Sequence, residues 1–443
     1  MTNNETPIQM FEIPNEWSYR GEGNCNIVLA IPKQKKILRI RKIEKPKSIL
    51  GWLLVLINDF LHWYYGKGYK DESRDINFYL NILRPLIGNE YTSEAKQVFL
   101  SRKHVHIFKE ELTKIRPEFR QNKTLQYGRA ALFHDFAYLP SLDDNLQFSQ
   151  NTFSVEIKPK QGWRPMKEHF LPQCLYCMNQ FLKIQNKQIK TLTKYCPEEL
   201  FSGDRDRMKT ALNNLFQIPQ NNFKIFKNGS IYYDERHKDT TILKEIFEST
   251  DSDDTLAEEL SDFLQRCLTT NFSISSTKKD TYCVIHDNAS HDQKLQVGSV
   301  LERILSVQML DTEGSHSTYK KWSKNDMWEN WTYVDKILEI VKNNKNGCVK
   351  CSIINASKSY EDELMFVPYL VSAIAKDCSL MITFRRVLEI PSNLHNLKNL
   401  LKTNYGYFLI NIGVFDLYPK PLSTILKHYK RNKDIIKVFN KQK

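Results

Sequence analysis

The sequence predicts an α+β protein of two lobes, a smaller N-terminal lobe built on an antiparallel sheet (residues 1–165) and a larger mixed C-terminal lobe (166–443). Three observations carry this. The 443 residues exceed the size at which one hydrophobic core stops growing. Short β-branched runs with turn signals dominate the start of the chain. Helical spacing dominates most of the remainder, with apolar strands returning near the end.

The elements follow in order. Asn26–Ile31 and Ile37–Ile40 are β-branched runs separated by Pro32 and a lysine-rich turn, which predicts a hairpin. From Ile49 to Leu112 the pattern is helical, with Leu53, Leu56, Ile57, Phe60 and Leu61 at three- and four-residue spacings. The run Ile49–Tyr65 is interrupted by Asn58, Asp59 and His62, far short of the roughly 20 apolar residues a bilayer demands, so a core helix is expected. Arg129–Tyr138 and Phe153–Ile157 read as strands on either side of a polar linker, Asp143–Asn151. Helical spacing resumes at Pro165–Lys194 and after Pro197, with Met208, Leu212 and Leu215 in register. An alternating strand then ends in Asn228-Gly229, a strong hairpin signal. The polar stretch 234–262 reads as a surface insertion, with Asp234–Thr241 as a loop and Ser249–Glu259 as a loop leading into a capped helix. Asp335–Val341 and Phe366–Ala375 read as helices, and Ser379–Phe384 and Phe408–Val414 as buried strands.

Composition bounds the function. With 41% hydrophobic and 26% charged residues the chain can bury an ordinary globular core. Lys and Arg number 64 against 51 Asp and Glu, a net charge of +13 that favours an anionic partner: nucleic acid, an acidic lipid headgroup or a polyphosphate. A basic surface kept for solubility explains the same charge unless the cations converge. Nine cysteines without a regular framework, and a polar Met1–Met10 lacking the apolar core of a secretory signal, argue for a reducing compartment.

Four segments could carry chemistry. Gly21-Glu22-Gly23 ahead of a strand is a loop whose backbone can approach phosphate closely, although an ordinary hairpin turn reads the same way. Arg39 and Arg41 alternate on the next strand, so one could reach a nucleotide phosphate. Lys158 and Lys160, two residues apart about Pro159, would face one way on a strand and repel each other unless an anion sits there. Lysines guarding a sheet edge are the alternative. Asn221 and Asn222 could donate to hydroxyl or phosphate oxygens, or simply shape a turn. Asp377 and Asp416 lie at the ends of apolar strands, where phosphoryl-transfer enzymes often place a base and a Mg²⁺ ligand; either could equally cap a turn.

Together these segments resemble the inositol-pentakisphosphate 2-kinase family. The resemblance is carried by Arg20–Leu29, Glu156–Lys160, Cys177–Gln180 with Lys183, Tyr195–Gly203, Pro219–Ser230, Lys376–Ile382 and Asp416–Pro421, in the family's order. It implies a two-lobed kinase-like architecture. It also implies an ATP-dependent enzyme that phosphorylates the 2-hydroxyl of inositol 1,3,4,5,6-pentakisphosphate to give the hexakisphosphate, phytate. On this resemblance Asp377 and Lys158 are catalytic, and Lys158, Lys160, Lys183, Asn221, Asn222 and Lys420 bind the inositol phosphate. Arg20, Gly21, Glu22, Gly23, Asn24, Asn26, Arg39 and Asp135 attend the nucleotide, and Asp416 holds Mg²⁺. A monomer in nucleus or cytoplasm is implied, with no membrane span and no nucleic acid as main ligand.

The chain departs from the family pattern at Leu175 and Asn179, where arginine and histidine are usual, at Tyr418 in place of a second aspartate, and at Asn24 in place of glycine. Two C-x-x-C pairs, Cys174/Cys177 and Cys348/Cys351, have zinc-like spacing, and Cys283, His286 and His291 offer further ligand types. No set is tightly spaced at both ends, so a structural zinc is conceivable on Cys348 and Cys351 but not expected, and Cys177 reads as a small buried residue. The competing readings are a basic nucleic-acid-binding protein and an inositol phosphate kinase of other positional specificity.

Overall fold

The computed structural model describes residues 9–23, 25–45, 48–64, 70–140, 146–272, 294–324, 329–344, 347–358, 363–389 and 399–442. The chain divides into two compact units. The first takes residues 1–80 with 93–135; the second takes 81–92 with 136–443.

The first unit contains the strands β1 (Gln9–Met10), β2 (Ser18–Glu22), β3 (Asn26–Ile31), β4 (Lys36–Glu44), β5 (Ala95–Leu100), β6 (Lys123–Leu125) and β7 (Gly128–His134). They form one sheet in the order β1-β5-β7-β4-β3-β2, with β6 on β4. All pairs are antiparallel except β1 with β5. The expected β3–β4 hairpin is present, and alternation along it sends Ile27, Leu29, Leu38 and Ile40 inward. Phe108 and Leu112 cover that face from the helix Arg102–Ile115, whose start is fixed by Ser101 accepting from the amide of His104.

Two expectations fail in this unit. β5 lies inside the stretch read as helical, because only Val98 and Leu100 of its six residues are fully buried and helices flank it on both sides. The helix Ile49–Tyr64 exposes Ile49, Leu50, Trp52, Leu53, Leu54, Leu56, Ile57 and Phe60, so it is not a core helix. Among the described residues no helix is long and apolar enough to cross a membrane.

The second unit carries β8 (Gln147–Phe148), β9 (Phe153–Ile157), β10 (Phe223–Lys227), β11 (Ser230–Tyr233), β12 (Ser379–Glu389), β13 (Leu400–Thr403) and β14 (Gly406–Phe415). Its antiparallel sheet runs β11-β10-β9-β12-β14-β13, with β8 on β12. Asn228 and Gly229, at φ +49° and +81°, make the predicted β10–β11 turn. The division between units therefore falls after Asp135 and not at 165. β9 pairs on one side with β10 and on the other with β12, and Phe136 accepts a hydrogen bond from the Thr383 hydroxyl on β12.

Residues 234–262 are not a surface insertion. The helices Thr241–Phe247 and Asp253–Thr269 bury Ile242, Leu243, Phe247, Leu256, Leu260 and Phe263. Phe263 meets Phe384 edge-on with ring centroids 4.8 Å apart. The expected passage from loop into capped helix within 249–259 is present: Ser252 caps the helix, and Asp253 and Asp254 occupy its first turn, where negative charge is favoured.

Candidate active site

Antiparallel register gathers the site. Ile157 at the end of β9 pairs with Phe223 at the start of β10 and with Leu380 near the start of β12; Ser379 pairs with Phe415 at the end of β14. The residues just outside those strand ends, Asn221 and Asn222, Lys158 and Lys160, Asp377, and Asp416, therefore emerge along one edge of the second unit's sheet.

Asp377 is the centre of this edge. Its carboxylate takes Lys160 Nζ on Oδ1 at 3.2 Å and Lys420 Nζ on Oδ2 at 3.1 Å. Desolvation works to raise its pKa, but Lys420 and Lys160 together outweigh it and hold the group at about 2. Lys158 points elsewhere, donating to Asn221 Oδ1 at 3.2 Å. The two lysines thus do not share a strand face. β9 ends at Ile157, and Lys160 adopts φ +61°, a left-handed conformation that turns it away from Lys158.

Lys183, on the helix Leu175–Gln185, is pulled below the ordinary lysine range by burial first, then by repulsion from Lys160 and Arg431. Arg431 comes from the C-terminal helix Thr424–Asn440, and its Nη2 lies 3.4 Å from Asn179 Oδ1. It supplies a cation beside a position where the family's usual histidine is missing, and no sequence signal linked the two residues. The positive field extends to His428, which is brought down to about 4 by burial first and then by Lys420 and Lys376.

Other residues hold these groups in place. The buried Asn222 donates to the Tyr176 hydroxyl at 2.9 Å, and its carbonyl accepts from the amide of Lys158 at 2.9 Å. Asn222 is therefore committed to the scaffold, while Asn221 reaches a lysine. The Tyr195 hydroxyl donates to the carbonyl of Pro159 at 2.7 Å. Gln308 is fully buried. Its amide donates to the carbonyls of Lys160 and Ala375 at 3.0 and 3.2 Å, and accepts from the amides of Gly162 and Trp163 at 2.9 and 3.2 Å. One side chain thus fixes the lysine segment against the segment that delivers Asp377. Asp416 stands at φ +66° and accepts from the Ser379 hydroxyl at 3.3 Å on Oδ2.

The nucleotide residues expected from the glycine loop lie in the first unit, except Asn24, which falls outside the described residues. A register shift between Tyr19 and Gly21 makes a bulge at Arg20, which pairs with the carboxylate of the buried Asp135. Asn26, with its amide oxygen toward Arg39, accepts from Arg39 Nε at 3.1 Å and Nη2 at 2.6 Å. Glu22 serves the unit's own interior. Its carboxylate, 2% exposed, takes Lys42 Nζ at 2.5 Å and both Nε and Nη2 of Arg116 at 2.9 Å. The Gly23 amide donates to the Asn26 carbonyl at 2.9 Å, closing the loop.

Among the described residues, Cys348 and Cys351 gather no further ligands. The other C-x-x-C pair, Cys174 and Cys177, is joined by Cys196, and Cys283, His286 and His291 lie outside the described residues.

An α+β fold of two units, one bearing a glycine loop and the other a sheet edge that sets lysines around a single carboxylate, defines a kinase-like phosphotransferase. The chain belongs to the inositol-pentakisphosphate 2-kinase family, whose profile matches residues 19–434. It is 27% identical over 458 residues to the inositol-pentakisphosphate 2-kinase of Arabidopsis thaliana, covering 97% of this chain and 94% of that protein. It is 26% identical over 486 residues to the enzyme of the same name from Danio rerio, covering 96% and 93%. Against the Drosophila melanogaster enzyme the match is 28% over 307 residues, 49% of each chain.

Proposed function

We propose that this protein transfers the γ-phosphoryl group of ATP to the 2-hydroxyl of inositol 1,3,4,5,6-pentakisphosphate, giving the hexakisphosphate and ADP. The observation that carries the reading is the crowding of Lys160, Lys420, Lys183 and Arg431 at the one edge where Asp377 stands. Cations crowded this closely are stabilised by a dense anion, and five phosphates on a small ring supply one.

In the reaction the 2-hydroxyl oxygen bonds to the γ-phosphorus as the bond to the β,γ-bridging oxygen breaks, and the hydroxyl proton passes to Asp377. At about 2, Asp377 with both lysines attached is a weak base. When phosphates draw Lys160 and Lys420 away, the carboxylate loses the charges that depress it and becomes a better proton acceptor, so substrate binding itself activates the base. Because phosphoryl transfer proceeds through a loose transition state, holding the hydroxyl in line matters more than base strength. On this reading Lys158, which donates to Asn221, offsets phosphate charge on the substrate.

The oxygen donors at the end of β14 suit a hard cation, and Asp416 would hold Mg²⁺, which neutralises charge on the ATP phosphates when bound. Arg20, Arg39, Asn26 and the loop Gly21–Gly23 are the nucleotide's side of the chemistry, while Glu22 acts through the scaffold.

Incubation with Mg-ATP and inositol 1,3,4,5,6-pentakisphosphate, followed by ³¹P NMR of the product, tests this. The expected product has its new phosphate on the axial 2-oxygen. Phosphorylation of other inositol phosphates in preference would reassign the specificity, and absence of any product together with tight, salt-sensitive RNA binding would overturn the kinase reading.

A further inference from the structure

Cys174, Cys177 and Cys196 bring their sulfur atoms together within 4.8 Å of one another, with Cys174 buried and the other two half-buried. Cys174 Sγ and Cys196 Sγ are 3.7 Å apart. A tetrahedral zinc ion about 2.3 Å from each sulfur requires sulfur–sulfur separations of about 3.8 Å. The local geometry also suits thiolates. The Cys177 amide donates to Cys174 Sγ at 3.4 Å across the first turn of the helix, an amide-to-sulfur bond that stabilises a negative sulfur. The three cysteines border a cavity of about 420 Å³ that Arg164, Thr193 and Glu198 also line. Arg164 is fixed there by Glu198 through bonds of 2.8 and 2.6 Å.

We propose that Cys174, Cys177 and Cys196 bind a zinc ion that fastens the helix Leu175–Gln185 to the segment Thr191–Cys196, with water from the cavity in the fourth position. Sulfur ligands at tetrahedral separation select zinc over the hard cations that suit Asp416. The ion sits behind both supports of the phosphate-binding lysines. Tyr176, next to Cys177, holds Asn222; Tyr195, next to Cys196, holds the carbonyl of Pro159 between Lys158 and Lys160. Only this consequence rests on the kinase reading; metal binding stands on the cysteines alone.

Full-length protein purified without chelators should carry about one zinc per chain by elemental analysis. The double variant Cys174→Ser/Cys177→Ser should lose it, and Cys348→Ser/Cys351→Ser should retain it. Wild-type protein stripped of metal and titrated with Co²⁺ should develop sulfur-to-cobalt charge-transfer absorption and the intense visible bands of a tetrahedral site, a readout independent of how any variant folds. Stripping should also raise the KM for inositol pentakisphosphate several-fold, with restoration by zinc. Wild-type protein without zinc and without the cobalt–thiolate bands would overturn the proposal, as would zinc that survives the Cys174/Cys177 substitution or a native Cys174–Cys196 disulfide found by mass spectrometry. Zinc-replete protein that phosphorylates no inositol phosphate would sink the kinase reading and leave the metal site standing.

Discussion

Asp377 is held by two lysines 3.1–3.2 Å away although its side chain is 60% exposed. Its folded pKa of about 2 lies below the ordinary 3.8. The ionised form's small stabilising contribution is therefore complete above about pH 4 and is lost as pH falls toward 2. In the substrate-free protein it stays ionised near neutrality, so an acid limb there in kcat/KM belongs to another group, while kcat reads the carboxylate after substrate has drawn the lysines away. Asp377→Asn keeps the shape, removes the proton acceptor and leaves both lysines without their counter-ion. Turnover should fall by about 10²–10⁴, and inositol pentakisphosphate should bind at least as tightly, as isothermal titration of the variant would read. Weakened binding with unchanged turnover of the bound substrate would contradict the assigned role. At this scale the sequence was legible in part. Asp377, Lys160 and Lys420 stood in segments whose composition suggested phosphate chemistry, but the pairing of residues 217 positions apart was not visible in either segment.

What makes that pairing possible is the antiparallel register of β9, β12 and β14. β12 and β14 were readable as apolar runs, because burial on both faces leaves near-continuous hydrophobic sequence, and β9 by its alternating Phe153, Val155 and Ile157. Their order was not readable, since β9 and β12 lie more than 200 residues apart and strand pairing leaves no mark in one chain's pattern. The same blindness hid β5 among helices and Cys196 from the C-x-x-C pair. It also hid Gln308, a polar residue whose burial on the helix Val300–Gln308 only tertiary structure explains. Gln308 is the element-scale link, joining Lys160 to the end of the helix that precedes Asp377. Gln308→Leu preserves volume and helix propensity but strands the carbonyls of Lys160 and Ala375 and the amides of Gly162 and Trp163. The loss should be about 1–3 kcal/mol in stability by urea denaturation, with kcat/KM falling at least tenfold in the fraction that remains folded. A variant equally unstable but fully active would show that Gln308 supports the core and not the site.

Each unit has its own sheet, and a buried ion cluster lies wholly in the first. Glu22, Lys42 and Arg116 have side chains 2%, 1% and 7% exposed and close onto one another. Burial works to raise the pKa of Glu22, but the bonds from Arg116 and Lys42 outweigh it and leave the group below 4.5. Lys42 is also lowered, by burial first and against the pull of Glu22. Both values fall, which favours the charge on Glu22 and disfavours it on Lys42; the carboxylate is the member whose charged form is favoured, because two cations flank it. A depressed carboxylate contributes stability that is complete above its ordinary 4.5 and is lost as pH falls through the lower folded value. The first unit should therefore hold its amide protection down to about pH 4.5 and lose it below. Glu22→Gln removes the anion at all pH values and leaves two buried cations facing each other, a cost of about 3–5 kcal/mol. Hydrogen exchange at neutral pH should then show β2, β3, β4 and β7 deprotected in the variant, while β9, β12 and β14 exchange as in the wild type. Equal loss of protection in both sheets would mean that the chain unfolds as one cooperative body. An unchanged first unit would mean that the ion cluster is held by the surrounding core and contributes nothing of its own.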